Sequence, residues 1–176
     1  INALINGEID AAIIASLPGD KQLQYDTLYY EEFFGYVSRN EAIFKNDLVR
    51  SADINEEKLW LLDEGHCFRD QLMRYCQMES VKINQAAYRL GSMETFMRMV
   101  ESGNGITFIP ELAVHQLSTE QKELVRPFAI PTPTRQIILI TNEHFIRTTL
   151  LEVLTKEIQA SVPREMLSLR ATQCVV

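Results

Sequence analysis

The stretch from residue 59 to residue 79 reads Leu-Trp-Leu-Leu-Asp-Glu-Gly-His-Cys-Phe-Arg-Asp-Gln-Leu-Met-Arg-Tyr-Cys-Gln-Met-Glu. It begins with an apolar run, residues 59–62, that is typical of a strand, and Asp63-Glu64-Gly65 interrupts this run. A helical pattern follows at once, with apolar side chains on one face of a 3.6-residue period at Phe68, Leu72, Tyr75 and Cys76. The stretch therefore predicts a strand, a turn and an amphipathic helix.

Cys67 lies at the start of this predicted helix. It shares its face with three polar residues, Asp70, Gln71 and Arg74. The first helical turn carries unpaired N–H groups and the positive end of the helix dipole. His66 and Arg69 flank the thiol, and such surroundings lower a thiol pKa and raise its thiolate fraction. Cys67 is therefore the candidate reactive thiol.

Cys76 lies nine residues after Cys67. Nine residues turn a continuous helix through about 900°, so the two thiols point to opposite sides, and they lie about 13 Å apart along the axis. A disulfide tolerates a Cα separation of about 7 Å at most. The two cysteines can therefore bond only if the helix unwinds or folds back, which is how a conformational switch behaves.

Other interpretations of the cysteines stay open. Free cysteine is among the most buried residue types, so both thiols can be ordinary core residues, Cys76 more readily than Cys67. A zinc site is less favoured, because the chain has no C-x-x-C and its three histidines are widely spaced. No metal and no cofactor is expected. Cys174 lies in a tail with little pattern, and we expect it to be mobile and without a role.

Composition limits the classes of function. The chain has 176 residues, 46% of them hydrophobic, which suits one domain or two small lobes. A net charge of −7 argues against nucleic-acid binding by this segment, so we expect the isolated chain not to bind DNA. No apolar run approaches the ~20 residues of a membrane span. Three cysteines suit a reducing cytosol. Residues 1–7 resemble the end of a helix, so we expect a missing N-terminal part.

Strands and helices alternate along the rest of the chain. Strands are predicted at residues 9–14 (buried on both faces), 28–37, 86–90, 106–109, 124–128 and 135–141. Helices are predicted to begin near residue 40, after an N-cap at Ser92, and at residues 148–160 with Leu150, Leu151, Leu154 and Ile158 on the apolar face. Residues 131–133 are expected to form a stiff connector. This alternation indicates an α/β fold around mainly parallel sheets.

Two glycine-containing segments carry a family resemblance. Gly7-Glu8-Ile9-Asp10-Ala11-Ala12-Ile13 and Gly103-Asn104-Gly105-Ile106-Thr107-Phe108-Ile109-Pro110 resemble the effector-binding domain of LysR-type transcriptional regulators. Gly65-His66-Cys67-Phe68-Arg69-Asp70-Gln71, followed by Cys76, resembles the peroxide-sensing members of that family. The resemblance covers roughly residues 1–160.

The resemblance implies a periplasmic-binding-protein-like fold of two α/β subdomains, joined by strands that cross near residues 31–34 and 134–136. Subdomain I would comprise residues 1–32 and 136–165, and subdomain II, with the redox cysteines, residues 33–135. Residues 166–176 would be a flexible tail. Subdomain I would be incomplete, because its first strand–helix–strand and a DNA-binding helix-turn-helix would lie upstream, together with two threonines of the peroxide pocket.

The resemblance also implies a function, that of the regulatory domain of a cytoplasmic transcription factor that senses hydrogen peroxide. Cys67 would be oxidised to a sulfenic acid and Cys76 would resolve it to a disulfide, which would switch the conformation and the oligomer arrangement. The supporting residues would be His66, Arg69, Asp70 and Arg135. The partners would be a second copy in a homodimer or tetramer, promoter DNA through the upstream segment, RNA polymerase and a thiol reductant of glutaredoxin or glutathione type, with no membrane.

The sequence leaves alternatives open for the roles of single residues and for the function of the whole chain. His66 can orient or protonate peroxide, or simply be satisfied by a neighbouring carbonyl, and Arg69 can form a solvated ion pair with Asp63, Glu64 or Asp70 instead of serving Cys67. The chain can also be a LysR-type domain that binds a small metabolite, with incidental cysteines, or a thiol peroxidase. We expect a regulator and not an enzyme.

Overall fold

The structure is a computed structural model, and it describes residues 1–15, 22–61, 67–76 and 92–176. Its helices are α1 Asn2–Ile5, α2 Cys67–Tyr75, α3 Met93–Glu101, α4 Glu111–His115, α5 Thr119–Lys122 and α6 Thr148–Ser161. Its strands are β1 Ala11–Ile14, β2 Leu23–Val37, β3 Ile106–Pro110, β4 Val125–Pro127, β5 Thr132–Asn142 and β6 Gln173–Val175. Short 3₁₀ helices lie at Ala42–Lys45, Ser51–Asp53, Glu56–Lys58 and Arg164–Leu167. The mixture confirms the predicted α/β class.

The chain forms two compact units. The first comprises Ile1–Glu31 and Arg135–Ala171, and the second comprises Glu32–Thr134 and Thr172–Val176. The divisions therefore fall within the long strands β2 and β5. The sequence placed crossings near residues 31–34 and 134–136, and their role as boundaries between functional subdomains stays a prediction.

In the first unit, β1 pairs with β5 and α6 packs on the sheet. The pairing is antiparallel and runs from Ala11 opposite Thr141 to Ile14 opposite Ile138. The prediction that β1 is buried on both faces is wrong, because Ile13 is 54% exposed. Ala12 and Ile14 pack against the cluster around Leu4, and this covers the face of β1 opposite Ile13.

Helix α6 confirms the predicted helix but only part of its predicted apolar face. Leu151 and Ile158 pack against the cluster of Leu28, Ile137 and Leu139. Leu150 and Leu154 are exposed. The helical period shows which side chains share a face, but not how much of that face the neighbouring elements cover. All four leucine and isoleucine positions of α6 therefore looked equivalent in the sequence.

In the second unit, β3 and β4 pair with the C-terminal part of β2. Phe33 lies opposite Pro110 in β3, and Phe34 lies opposite Pro127 in β4. Helix α3 leads into β3 through Gly105, whose φ is +72° and where an added Cβ would come within 2.2 Å of the Lys58 carbonyl oxygen. Only glycine fits this turn. The predicted N-cap is confirmed, because the Ser92 hydroxyl accepts the Thr95 amide at 3.2 Å.

The predicted strand direction is wrong for most of the pairs that the described residues form. β1–β5, β2–β3 and β2–β4 are antiparallel, whereas β5–β6 is parallel. Parallel strands need a long crossover connection, but a long connection does not require parallel strands. The helical segments between the strands therefore did not fix their direction.

The predicted strand at residues 59–62 and the predicted connector at residues 131–133 differ from the structure. Leu59 forms only an isolated bridge to Ile106 instead of starting a strand, and residue 62 and the predicted strand at 86–90 lie outside the described residues. The expected connector at residues 131–133 contributes Thr132 and Pro133 to β5.

In the described part of the chain, every helix is too short or too polar to cross a membrane.

The C-terminal residues form a strand where the sequence predicted a flexible tail. β6 pairs with the start of β5 in parallel, with Cys174 opposite Pro133. The Thr132 amide donates to the Thr172 carbonyl at 2.8 Å, and the Val176 amide donates to the Thr134 carbonyl at 3.0 Å. Each residue of β6 lies 41 positions after its partner in β5, so no local pattern predicted this strand.

Candidate functional site

Helix α2 begins at Cys67 and docks on the core of the second unit. Phe68 and Leu72 are buried, and Tyr75 and Cys76 pack against the same cluster. The Phe68 ring meets Phe33 edge to face, with centroids 4.9 Å apart. The predicted apolar face of the cysteine helix is therefore confirmed.

Helical hydrogen bonding continues to Cys76. Its amide donates to the Leu72 carbonyl at 2.9 Å, the i to i−4 bond of an α-helix. The backbone from Cys67 to Cys76 is therefore one continuous helix, in which nine residues separate the two Cα atoms by about 13 Å along the axis. This exceeds the roughly 7 Å that a disulfide allows. In this conformation the two cysteines cannot bond.

The Cys76 thiol is held in its protonated form. Burial against the core raises its pKa from the ordinary 9.0 to about 11, because the apolar surroundings disfavour the charged thiolate. At neutral pH this thiol is therefore neutral and a poor nucleophile.

Tyr75 ties the end of α2 to the connection before β5. Its hydroxyl donates to the Pro131 carbonyl at 2.7 Å, and its ring meets Phe128 edge to face at 5.7 Å. Burial raises the Tyr75 pKa most, and negative charge on Cys76 or Cys174 would raise it further. Cys174, set aside by the sequence, therefore lies within electrostatic range of the cysteine helix.

Gln71, which was predicted on the polar face, and Arg69, for which a solvated ion pair was one alternative, are both buried. Gln71 is 2% exposed and Arg69 is 6% exposed, whereas Asp70 and Arg74 are exposed as expected. The Gln71 amide donates to the Val176 carbonyl at 3.1 Å, a contact with the C-terminus that helical periodicity cannot reveal. The burial of Arg69 argues against a solvated position for this side chain, whereas its pairing with Asp63 or Glu64 lies outside the described residues and stays a prediction.

Arg135 lies in the first unit, where it pairs with Glu31. Its Nε and Nη2 atoms lie 2.7 and 2.6 Å from one Glu31 carboxylate oxygen, and Glu31 is 1% exposed. Burial raises the pKa of nearby Tyr29, and the Glu31 charge adds to this. The sequence missed Glu31, although an acid inside the aromatic run of β2 was a visible signal.

Part of the predicted site falls outside the described residues. His66 belongs to that part, as does the side chain of Cys67, so their placement relative to Arg69 stays a prediction. Within the described ranges, no group of three or more His, Cys, Asp or Glu side chains is arranged to hold a metal ion.

Comparison with known proteins places the chain in a family. Residues 1–162 match the model of the LysR substrate binding domain. The chain belongs to the LysR substrate binding domain family. This membership confirms the fold inferred from the glycine segments, the LysR form of the periplasmic-binding-protein-like architecture.

Relatives of this LysR domain confirm the resemblance drawn from the cysteine motif. It is 31% identical over 140 residues to the hydrogen peroxide-inducible genes activator of Haemophilus influenzae, which covers 80% of this chain and 46% of that protein. It is 31% identical over 137 residues to the DNA-binding transcriptional dual regulator OxyR of Escherichia coli K12, covering 78% of this chain and 45% of that protein. The chain thus spans under half of these relatives.

A solved structure agrees with the fold. The crystal structure of an OxyR mutant from Porphyromonas gingivalis superimposes with a TM-score of 0.93 at 51% identity, covering 99% of this chain and 80% of that one. The cysteine helix and the two α/β units therefore lie in an OxyR-like regulatory domain.

Proposed function

We propose that this chain is the regulatory domain of a transcription regulator that senses hydrogen peroxide by forming a Cys67–Cys76 disulfide. The names of the relatives support peroxide as the signal. The observation that carries the mechanism is the continuous helix that holds the two cysteines too far apart to bond. Oxidation therefore has to remodel this helix.

The first chemical step is attack by Cys67. Its thiolate sulfur bonds one oxygen of hydrogen peroxide, the O–O bond breaks, and the departing hydroxide takes a proton to become water. Cys67 is left as a sulfenic acid, the reversible first product of thiol oxidation. Its position at the start of α2 favours the thiolate, whereas burial keeps the Cys76 thiol protonated.

The second step joins the cysteines. The Cys76 sulfur attacks the Cys67 sulfur, the S–O bond breaks, and water leaves with the Cys76 proton. Because Cys76 has to travel to Cys67, the helix between them unwinds and Phe68 and Leu72 leave the core. A thiol reductant of glutaredoxin or glutathione type returns the pair to the dithiol.

The supporting residues have separate roles. We assign His66 to orienting peroxide or protonating the leaving hydroxide, and buried Arg69 to stabilising negative charge beside Cys67. Asp70, in the exposed part of the first turn, would position these groups. Only the family resemblance assigns a role to Arg135, and its ion pair with Glu31 competes with any role at the Cys67 thiolate.

The signal would pass to other chains. Apolar side chains released from the core need a new partner, and the adjoining copy in a homodimer or tetramer supplies one. The rearranged oligomer would then act in the cytoplasm on promoter DNA and RNA polymerase through segments of the longer protein. The domain acts as a regulator, reacting about once per signal, and not as a peroxidase.

Mass spectrometry after limited peroxide tests the thiol chemistry. The wild type should form a Cys67–Cys76 disulfide. Cys76→Ser should accumulate a sulfenic acid at Cys67 that dimedone traps, and Cys174→Ser, the matched control, should behave like the wild type. Equal oxidation of all three cysteines, or a wild type without the disulfide, would contradict the proposal.

A reporter assay with the full-length regulator separates the alternatives. Cys67→Ser should abolish induction by peroxide, since no other described thiol is placed to replace it at the start of α2. Induction that persists in Cys67→Ser would favour a metabolite-binding domain. Consumption of many equivalents of peroxide per chain with a thiol reductant would favour a thiol peroxidase.

A further inference from the structure

We infer that Gln71 and the C-terminal strand β6 hold helix α2 in its dithiol conformation and so set the redox equilibrium of Cys67 and Cys76. This inference rests on the proposed function, because it concerns the disulfide that the cysteine pair forms. It assigns a positioning role to Gln71 and Val176, neither of which touches the reacting sulfur atoms through a described contact.

The contact between α2 and the C-terminus is both polar and apolar. Gln71 is 2% exposed, and its side-chain amide donates to the Val176 carbonyl at 3.1 Å. The Val176 side chain packs against the core cluster that contains Phe68 and Leu72. A buried glutamine is stable where its amide is hydrogen-bonded, so this contact favours the docked helix.

The C-terminal strand is itself anchored away from the helix. Val176 donates its amide to Thr134 at 3.0 Å, and Thr132 donates its amide to Thr172 at 2.8 Å. The Gln173 side chain donates to Glu32 at 2.8 Å. β6 therefore has bonds of its own to β5 and β2 in addition to its contact with α2, and it links the helix to the sheet.

Gln71 lies between the two cysteines, in the segment that has to unwind. When Cys76 moves to Cys67, Gln71 is carried away from Val176, the hydrogen bond breaks and Val176 loses its cover. Both losses disfavour the disulfide. Each interaction present only in the dithiol form makes the pair a stronger oxidant, which eases its reduction after the signal.

Titration with glutathione measures this effect. One glutathione disulfide takes two electrons and two protons from the dithiol, giving the Cys67–Cys76 disulfide and two glutathione thiols. Gln71→Met keeps a similar volume without the amide, and Val176→Ser removes the apolar contact. Gln71→Met should shift the equilibrium about fivefold toward the disulfide, the size of one lost hydrogen bond. Val176→Ser should shift it in the same direction, because it removes apolar area that is buried only in the dithiol form. Val175→Ser, at a neighbouring residue of β6 that is 42% exposed, is the matched control and should leave the equilibrium unchanged.

Hydrogen exchange on the wild type tests the same link without substitution, and it decides the matter if a variant fails to fold. Amides 172–176 should exchange faster in the disulfide form than in the dithiol form. A wild type that forms no Cys67–Cys76 bond would overturn the proposed function and this inference with it. A normal disulfide, combined with wild-type equilibria in folded variants or unchanged exchange at 172–176, would overturn this inference alone.

Discussion

At the scale of single residues, the surroundings of Cys76 decide when its thiol can react. Its pKa is raised to about 11 by burial, so the folded chain retains the thiol proton above pH 9.0, where the unfolded chain releases it. The folded state therefore binds more protons over this interval, and the stabilisation is lost as pH rises from about 9 through 11.

Alkylation of each cysteine, followed by mass spectrometry across pH, measures this shift. We expect Cys76 in the reduced folded chain to react slowly at pH 9 and to accelerate only as pH approaches 11. The same chain in urea is the control, and there the rise should centre near 9.0. Identical pH profiles in the folded and unfolded chain would show that burial does not govern this thiol.

The sequence correctly predicted the structural roles of residues that depend on neighbours close in sequence. Phe68, Leu72 and the Ser92 cap follow from helical period and capping chemistry, both local properties. The burial of Gln71 and of Glu31 was missed because it depends on residues far away in sequence. Arg69 was named as a supporting residue, but its burial was not predicted. Val176 lies 105 positions from Gln71, and Arg135 lies 104 positions from Glu31. Local periodicity and capping patterns do not reveal contacts at such separations.

At the scale of elements, burial separates helices that look alike in sequence. Leu72 in α2 is 1% exposed, whereas Leu150 in α6 is 59% exposed, although both sat on predicted apolar faces. Leu72→Ala should lower the free energy of unfolding by about 3 kcal/mol, because it removes apolar contacts and leaves a cavity. Leu150→Ala, the matched control, should change it by less than about 0.5 kcal/mol.

Urea denaturation followed by circular dichroism makes this comparison. Equal losses of unfolding free energy for the two alanine variants would show that α2 is not docked more firmly than the exposed face of α6.

The strands, too, were predicted only in part. Their positions followed from apolar runs, but the antiparallel direction of β2 against β3 and β4 depends on how distant elements pack.

At the scale of the whole molecule, the LysR fold places the cysteine helix within one of two units. The long strands β2 and β5 each contribute to both units. Helix α2 contributes no strand, so its backbone can change while β2 stays paired with β3 and β4. The alternation of strands and helices predicted the class of fold, and the glycine segments predicted the family. Neither the alternation of elements nor the glycine segments predicted β6, the strand that holds the last residues of the chain beside α2.

Hydrogen exchange over the whole chain, in the reduced and the oxidised state, tests the central claim most directly. Oxidised samples would first be shown by mass to contain the Cys67–Cys76 bond. We expect amides 68–76 to lose protection on oxidation, because a continuous helix cannot accommodate the bond, while β2, β3 and the first-unit part of β5 keep theirs. Equal protection of amides 68–76 in both states, with the disulfide confirmed, would contradict the account.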